Sequence, residues 1–491
     1  MKLVYDIFDK PSMSKTLVFA FQQMIAIMAA TLLVPIIVTS YGLVADPAAA
    51  LFGAGIGTLV YILFTKQRSP VFLGSSFTFL GAYAASIGQN FGYLGIIIGV
   101  FFAGLVYVLI GFIVKMVGSS WVNKLMPAVI IGPIVTLIGL SLSGTATSWM
   151  ALNGSQNADD YSLITILVGA VTFFAIVVAA VKGSDNIKLI PFIVGIAVGY
   201  LFALAITLIG KSAGNETMQI MSFQSFKDTF EPLSISSFIK VPDFFFIKAI
   251  QEKGWQTLSA GDIGSIALIY IPIGIVELAQ HIADHKNLGN IINRDLITDP
   301  GLDCTLFGDG VGSIVGSVFG GAANTTYGES IGCVAITGNA SIISIIVAAI
   351  GCMILSFFTP FVALINSIPK CVMGGACVAL YGFIAVSGLQ MLRKVDLNNN
   401  KNLFIVSGIL VTGIGGLTLK FGHNELTGGA LLEITALAVA LLFGIIANLI
   451  VNNGKLVSDS SEKDVKAQPE LLAAKGVTPS TPRKDRKKGK K

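Results

Sequence analysis

The sequence predicts an all-α polytopic membrane protein with 14 transmembrane segments in two inverted seven-span repeats. Short extended strands are expected before the half-helices of spans 3 and 10. Three observations support this fold class: the composition, the spacing of the apolar runs, and the similarity between the two halves. Of 491 residues, 54% are hydrophobic and 12% are charged, and the mean hydropathy is +0.81. A soluble protein is not this apolar, and the length suffices for about a dozen or more crossings.

Runs of about twenty apolar residues, the length that crosses a bilayer, define the individual spans. In the first half they fall at 16–37, 48–65, 76–90, 93–117, 126–146, 162–181 and 188–210. In the second half they fall at 263–283, 306–322, 327–337, 340–364, 371–391, 403–419 and 428–451. Several runs of the second half are short or rich in glycine, which is typical of helices that break inside the membrane.

The positive charges lie on one side of these spans. Loops on the side of the N-terminal segment 1–15 carry Lys or Arg near 66–68, 115–124, 182–188, 286–294 and 393–401. The opposite loops near 46, 92 and 159–160 carry none. By the positive-inside rule both termini are expected in the cytoplasm, and the long mixed-charge segment 211–262 is expected outside.

The C-terminal segment 452–491 differs from the rest of the chain. It is polar, contains three prolines and ends in a run of Lys and Arg, a composition that cannot bury a core. We expect a disordered cytoplasmic tail. Its basic end could bind anionic membrane lipid, but a tail that only fixes topology is the favoured reading, and no aromatic pattern supports nucleic-acid binding.

Two pairs of segments, each seven spans apart, indicate the inverted repeat. LFGAGIGTLV at 51–60 in span 2 resembles LFGDGVGSIV at 306–315 in span 9, and MPAVIIG at 126–132 in span 5 resembles IPKCVMG at 368–374 in span 12. Because seven is odd, the second half enters the membrane from the opposite side. This is the arrangement of many secondary transporters.

The segment NTTYGES at 324–330 places a carboxylate, Glu329, among apolar spans. The polar residues favour extended backbone and the apolar run after them favours helix, so Glu329 is expected in the first turn of a helix that starts inside the membrane. At the same offset, LGSSFTF at 73–79 precedes span 3. Two half-helices would then point their N-termini at one cavity suited to a small carbonyl-rich or anionic solute. The alternative is that Ser75 and Ser76 only allow close helix packing.

Span 8 ends in a polar stripe formed by Glu277, Gln280, His281 and Asp284. Their spacing of three and four places them on one helix face, and because such a face is costly in lipid it is expected to line the cavity. Two alternatives remain open. His281 and the following His285 could be interfacial, and Glu277 could be a structural acid.

NTTYGESIGCVAIT at 324–337, with DPGL at 299–302, LGSSFTF at 73–79 and LYGFIAVSG at 380–388, resembles the nucleobase/ascorbate transporter family and its bacterial uracil permease branch. The resemblance runs from about residue 11 to residue 449. It implies proton-coupled uptake of a nucleobase, often by homodimers with an elevator-like movement. It also implies core domains at 16–117 and 263–364, and gate domains at 118–210 and 365–451.

The resemblance also assigns site residues to this sequence. Glu329 matches the substrate-binding glutamate of span 10, with Gly328 offering a backbone amide and Tyr327 the adjoining aromatic ring. Phe77 matches the aromatic at the start of span 3, beside Ser76. Tyr381 matches a cavity tyrosine of span 12. The proton-coupling candidates are Glu329, Asp284, Glu277 and His281.

This chain departs from the family pattern at four positions. Gln280 stands where the family has a glutamate linked to substrate and proton, and Asp284 stands where uracil permeases often have histidine. Ser330 replaces the usual asparagine, and Gln23 replaces a histidine in span 1. Glutamine cannot titrate, but it can accept an N–H and donate to a carbonyl. Uracil could therefore still bind while the proton site is lost or moved.

The leading interpretation is a plasma-membrane uracil permease, with a xanthine or purine permease as the nearest rival. An anion exchanger or channel of the same seven-plus-seven architecture is the alternative from another class, although a carboxylate in the pocket would repel anions. No metal-ligand cluster, nucleophile elbow or phosphate loop occurs in the sequence, so no cofactor, metal or enzymatic activity is expected.

Overall fold

The computed structural model describes residues 3–153, 160–188, 190–320, 322–393, 395–422 and 432–452. The helices of the first half are α1 (Met13–Ser40), α2 (Pro47–Phe64), α3 (Leu80–Gly88), α4 (Gly92–Val117), α5 (Ser120–Leu125), α6 (Ala128–Ser141), α7 (Ser143–Leu152), α8 (Leu163–Lys182), α9 (Asp185–Lys188) and α10 (Pro191–Ala213). The segment between the halves contains α11 (Gln224–Phe230), α12 (Phe245–Gln251) and α13 (Gly254–Thr257). The helices of the second half are α14 (Ala260–Ile292), α15 (Leu302–Phe319), α16 (Gly328–Thr337), α17 (Ile342–Leu355), α18 (Thr359–Asn366), α19 (Lys370–Leu392), α20 (Asn400–Ile414) and α21 (Ala436–Val451).

Short 3-10 helices lie at Glu216–Met218 and Ile235–Ser237, and a π-helical turn lies at Ile297–Gly301. The described residues also contain four short strands. They are β1 (Leu73–Ser75), β2 (Asn324–Thr326), β3 (Leu419–Phe421) and β4 (Leu432–Ile434). Strands β1 and β2 pair antiparallel, with Leu73 opposite Thr326 and Ser75 opposite Asn324. Strands β3 and β4 form a second antiparallel pair. The two strands expected before the half-helices of spans 3 and 10 are therefore present, and they pair with each other.

Nine helical segments in the described part of the chain are long and apolar enough to cross a membrane. Three shorter apolar helices, α17, α20 and α21, add to these. This confirms a helical, multi-pass membrane protein. The exact number of spans stays a prediction, because length and composition identify a membrane crossing only for the long helices.

Several elements differ from the predicted spans. Span 5 is broken into α6 and α7, and span 11 into α17 and α18. Span 8 is longer than predicted, because α14 continues to Ile292. The segment 211–262 was expected only as a long loop and contains three helices. Predicted span 14 begins partly outside the described residues, and the tail beyond residue 452 lies entirely outside them.

Helices α2 and α15, which carry the similar glycine-rich segments of the two halves, pack directly against each other. A β-carbon at Gly57 would lie 2.8 Å from the carbonyl oxygen of Gly312, and one at Gly312 would lie 2.7 Å from that of Gly57. The two glycines occupy equivalent positions in the two segments. Only a residue without a side chain allows this approach of the two backbones, and the contact brings β1 and β2 to the centre of the protein.

Candidate functional site

The start of α16 is held by contacts to the chain just before α3. The Tyr327 hydroxyl donates a hydrogen bond to the carbonyl oxygen of Ser75 at 2.7 Å. The backbone N–H of Phe72 donates to the Ser330 hydroxyl at 2.9 Å. Tyr327 precedes the helix in extended conformation, and Glu329 lies in its first turn, as predicted. The first N–H groups of a helix have no partner inside it, so this end can offer backbone donors to a ligand.

A cavity of about 70 Å³ opens at this helix start. One wall is formed by the predicted residues Ser76, Phe77, Gln280, Asp284, Tyr327, Gly328 and Glu329, together with Ala283 and Thr325. The volume lies below the range of about 300–1,000 Å³ of drug-sized ligand sites. The cavity therefore suits a small solute.

The facing wall of the cavity comes from α6 and α19. It consists of Val135, Ile138, Phe383, Ile384 and Ser387, which the sequence analysis did not single out. Val135 and Ile138 look like ordinary packing residues, so the sequence carries no signal for them. The three residues of α19 lie within the motif LYGFIAVSG at 380–388, which supported the resemblance but did not assign them to the cavity. Tyr381 does not line the cavity itself. Its ring packs edge-on against the ring of Phe77, with the centroids 5.5 Å apart.

Helix α14 contributes Gln280 and Asp284, which lie one turn apart on the cavity wall. The Thr326 hydroxyl donates a hydrogen bond to a carboxylate oxygen of Asp284 at 2.8 Å. The cavity thus combines two carboxylates, one amide side chain, the start of a helix and aromatic rings. This set can accept N–H groups, donate to carbonyl groups and stack on a flat ring.

The other two residues of the predicted polar stripe, Glu277 and His281, do not line this cavity. The Ser76 hydroxyl donates to Glu277 at 3.2 Å, so Glu277 lies behind the cavity wall. His281 Nδ1 lies 2.6 Å from a carboxylate oxygen of Asp309 on α15. The prediction of one cavity-facing stripe is therefore wrong for these two residues. At about 100° per residue the four side chains cover an arc of about 100°, and packing against α15 divides it.

The interfacial alternative for the two histidines does not hold. His281 and His285 are 0% and 1% exposed. His285 Nε2 lies 2.7 Å from the hydroxyl of Tyr61 on α2, and its Nδ1 lies 2.7 Å from the carbonyl oxygen of His281. Because α14 continues beyond them, surrounding helices rather than water satisfy their ring nitrogens.

Asp309 is the acidic residue that the sequence analysis missed as a site residue. It is 2% exposed and occupies the position of Ala54 in the similar segment of the first half. A signal was available, because a carboxylate inside a glycine-rich span is a functional-site hypothesis by default.

Comparison with known proteins identifies a family and several relatives along most of the chain. The model of a family described as "Permease family" matches residues 14–422. The chain is 37% identical to the uracil permease of Bacillus caldolyticus, over 92% of this chain and 95% of that protein. It is 35% identical to the uracil permease of Bacillus subtilis, over 93% and 97%. It is 30% identical to that of Escherichia coli K12, over 93% and 97%.

Solved structures of low sequence identity have the same fold. The transmembrane domain of the cyanobacterial bicarbonate transporter BicA matches with a TM-score of 0.55 and 14% identity, over 89% of this chain and 98% of that one. SLC26A9 matches with a TM-score of 0.55 and 11% identity, over 90% and 66%. These two similarities concern the fold alone.

Proposed function

This chain belongs to the nucleobase/ascorbate transporter (permease) family, and we propose that it imports uracil across the plasma membrane by proton symport. The observation that carries this proposal is the cavity at the start of α16. There Glu329, Gln280 and the backbone at Gly328 face the same small space as Phe77 and Tyr327. Uracil permeases of three bacteria share 30–37% of their residues with most of this chain.

The donors and acceptors of the cavity complement those of uracil. The uracil ring carries two N–H donors and two carbonyl acceptors. Glu329 can accept an N–H, Gln280 can both accept and donate, and backbone amides at the start of α16 can meet a carbonyl. Phe77 offers an aromatic face to the flat ring, with Tyr381 packed behind it.

The proton role falls to carboxylates in or near the cavity, because Gln280 cannot titrate. Asp284 lies one turn from Gln280, and Glu329 lines the same wall of the cavity. These two are the first candidates. Glu277 and His281 are candidates of a second rank, since they lie behind the wall. Ser76, which lines the cavity, donates a hydrogen bond to Glu277.

The position of the cavity supports an elevator-type movement. One wall comes from α14, α16 and the segment before α3, and the other comes from α6 and α19. These are the helices that the resemblance assigns to core and gate domains. A sliding of one wall against the other would carry a bound solute across the membrane. Cytoplasmic termini, a homodimer and contact of the protein with membrane lipid belong to the same proposal.

Xanthine is the nearest rival substrate, because it shares the imide-like edge that this site would recognise. Anion exchange is disfavoured, since both Glu329 and Asp284 face the cavity and carboxylates repel an anion. The bicarbonate transporter BicA and SLC26A9 share only the fold with this chain.

Uptake of labelled uracil into proteoliposomes, with and without an inward proton gradient, tests substrate and coupling together. We expect accumulation only with the gradient, and displacement by unlabelled uracil but not by chloride. Displacement by xanthine and not by uracil would refute the substrate. Equilibration of uracil regardless of the gradient would refute symport while leaving the substrate intact.

A further inference from the structure

The N-terminal segment at residues 4–9 lies against the end of α16 that is far from the substrate cavity. The backbone N–H groups of Val4 and Tyr5 both donate to the carbonyl oxygen of Gly338, directly after α16, at 2.8 and 3.2 Å. The N–H of Ala340 donates back to the carbonyl oxygen of Tyr5 at 2.9 Å. These bonds form a parallel β-bridge, so the segment satisfies backbone groups that the short helix leaves open at its end.

The contact continues as far as the start of α17. The N–H of Ile342 donates to the carbonyl oxygen of Ile7 at 3.0 Å, and the Ser341 hydroxyl donates to the carbonyl oxygen of Asp9 at 2.7 Å. The side chain of Ile7 is fully buried and belongs to the hydrophobic core around α16. The segment is therefore a packed part of the protein and not a loose end.

An ion pair joins the same segment to α14. The guanidinium of Arg294, just beyond the end of α14, donates to a carboxylate oxygen of Asp6 at 2.6 Å. The other carboxylate oxygen of Asp6 accepts the N–H of Ile7 at 2.8 Å, which orients the carboxylate. The guanidinium also lies 5.8 Å from the centre of the Phe8 ring. One short segment thus holds the ends of both α14 and α16.

These two helices carry polar residues of the substrate cavity. Glu329 lies in the first turn of α16, and α14 contributes Gln280 and Asp284. Helix α16 has 10 residues, a length at which a helix has little stability of its own. Its position therefore depends on what holds its two ends. The pairing of β1 with β2 holds the start, and the N-terminal segment holds the far end.

We propose that residues 4–9 form an N-terminal clamp that positions α16 against α14, with Asp6 and Arg294 as positioning residues for the substrate cavity. Hydrogen bonds weaken steeply as their distance and angle depart from the optimum, and a displacement of about 1 Å can be costly even when its cause is remote. Loosening the clamp lets α16 tilt and changes the spacing between Glu329 and Gln280. The effect on affinity rests on the proposed uracil site, whereas the clamp itself does not.

Charge reversal in the purified full-length chain tests the positioning role through the Kd for uracil. Asp6→Lys and Arg294→Glu each replace the attraction by repulsion and should raise the Kd at least about threefold. The double variant restores the pair with the charges exchanged and should return the Kd to within about twofold of the unaltered chain. Lys10→Gln removes an exposed charge next to the clamp and should leave the Kd unchanged.

The Tm separates positioning from a general loss of stability. Both side chains of the ion pair are half-buried, and such pairs contribute little to the stability of a protein. The Tm of all four variants should therefore stay close to that of the unaltered chain while the Kd of the two single variants rises. A Kd unchanged in both single variants, or a double variant that binds as weakly as they do, would overturn the positioning role.

Amide hydrogen exchange tests the clamp without any substrate. We expect faster exchange over residues 328–342 in each single variant, recovery in the double variant, and no change in α19. If the unaltered chain does not bind uracil, the proposed substrate is refuted and exchange alone decides: faster exchange over 328–342 supports the clamp, and equal exchange overturns it. If uracil binds normally and exchange is equal in all variants, the clamp alone is refuted.

Discussion

Replacing Glu329 by glutamine is expected to remove most of the uracil affinity. The side chain faces the cavity from the first turn of α16, where it accepts a ring N–H in the proposed pose. A hydrogen bond to a charged group contributes about 1.5–3 kcal/mol. At about 1.4 kcal/mol per tenfold change, its loss raises the Kd for uracil about 10- to 150-fold. Glutamine keeps the shape of the side chain and can offer its own oxygen to the ring N–H. The Kd for uracil is therefore expected to rise near the lower end of this range, about 10-fold.

The measurement is the Kd for uracil of the purified protein, paired with uptake into proteoliposomes. The matched control is Glu216→Gln, the same substitution at an exposed position between the two halves, which should leave both quantities unchanged. A Glu329→Gln protein that unfolds at the usual temperature and binds uracil with a Kd within threefold of the unaltered chain would refute the assignment.

Three further outcomes are expected. Gln280→Glu adds a titratable group to the cavity and should steepen the dependence of uptake on the proton gradient. An unchanged pH profile of uptake would assign proton coupling to the other carboxylates of the cavity, Glu329 and Asp284. Gly312→Ala forces a β-carbon to 2.7 Å from a carbonyl oxygen of α2 and should cost about 1–3 kcal/mol, seen as a lower Tm. Gly408→Ala, where a β-carbon meets nothing within 4 Å, should not lower it; equal Tm changes would argue against the close packing. Tyr327→Phe removes the hydrogen bond from the hydroxyl to the Ser75 carbonyl, which is expected to cost about 0.5–1.5 kcal/mol and to lower the Tm. An unaltered Tm would show that this hydrogen bond does not stabilise the start of α16.

The sequence by itself determined the class of protein and the local structure around Glu329. The thickness and apolar character of the bilayer set the composition and the length that a membrane span needs. Both can be read from the sequence, so they predict a multi-pass membrane protein without knowledge of packing. The polar segment before an apolar run likewise specified the strand and the helix start at 324–329, because capping and extended preferences act within a few residues.

Tertiary packing decided which polar residues share a site. Helical periodicity places Glu277, Gln280, His281 and Asp284 within one arc, and nothing in the sequence says where a neighbouring helix divides it. In the structure Gln280 and Asp284 line the cavity at the start of α16, whereas His281 contacts Asp309 and Glu277 shares a second small pocket with Asp309.

Contacts between segments distant in the sequence also required the structure. The pairing of β1 with β2 joins residues about 250 positions apart. The wall contributed by α6 contains Val135 and Ile138, which nothing in the sequence separates from other packing residues. The contact of Asp309 with His281 depends on where α14 and α15 meet. Preferences for helix, strand or turn depend on residues that are neighbours in the sequence. A binding site forms where residues distant in the sequence come into contact, and only the folded chain specifies that contact.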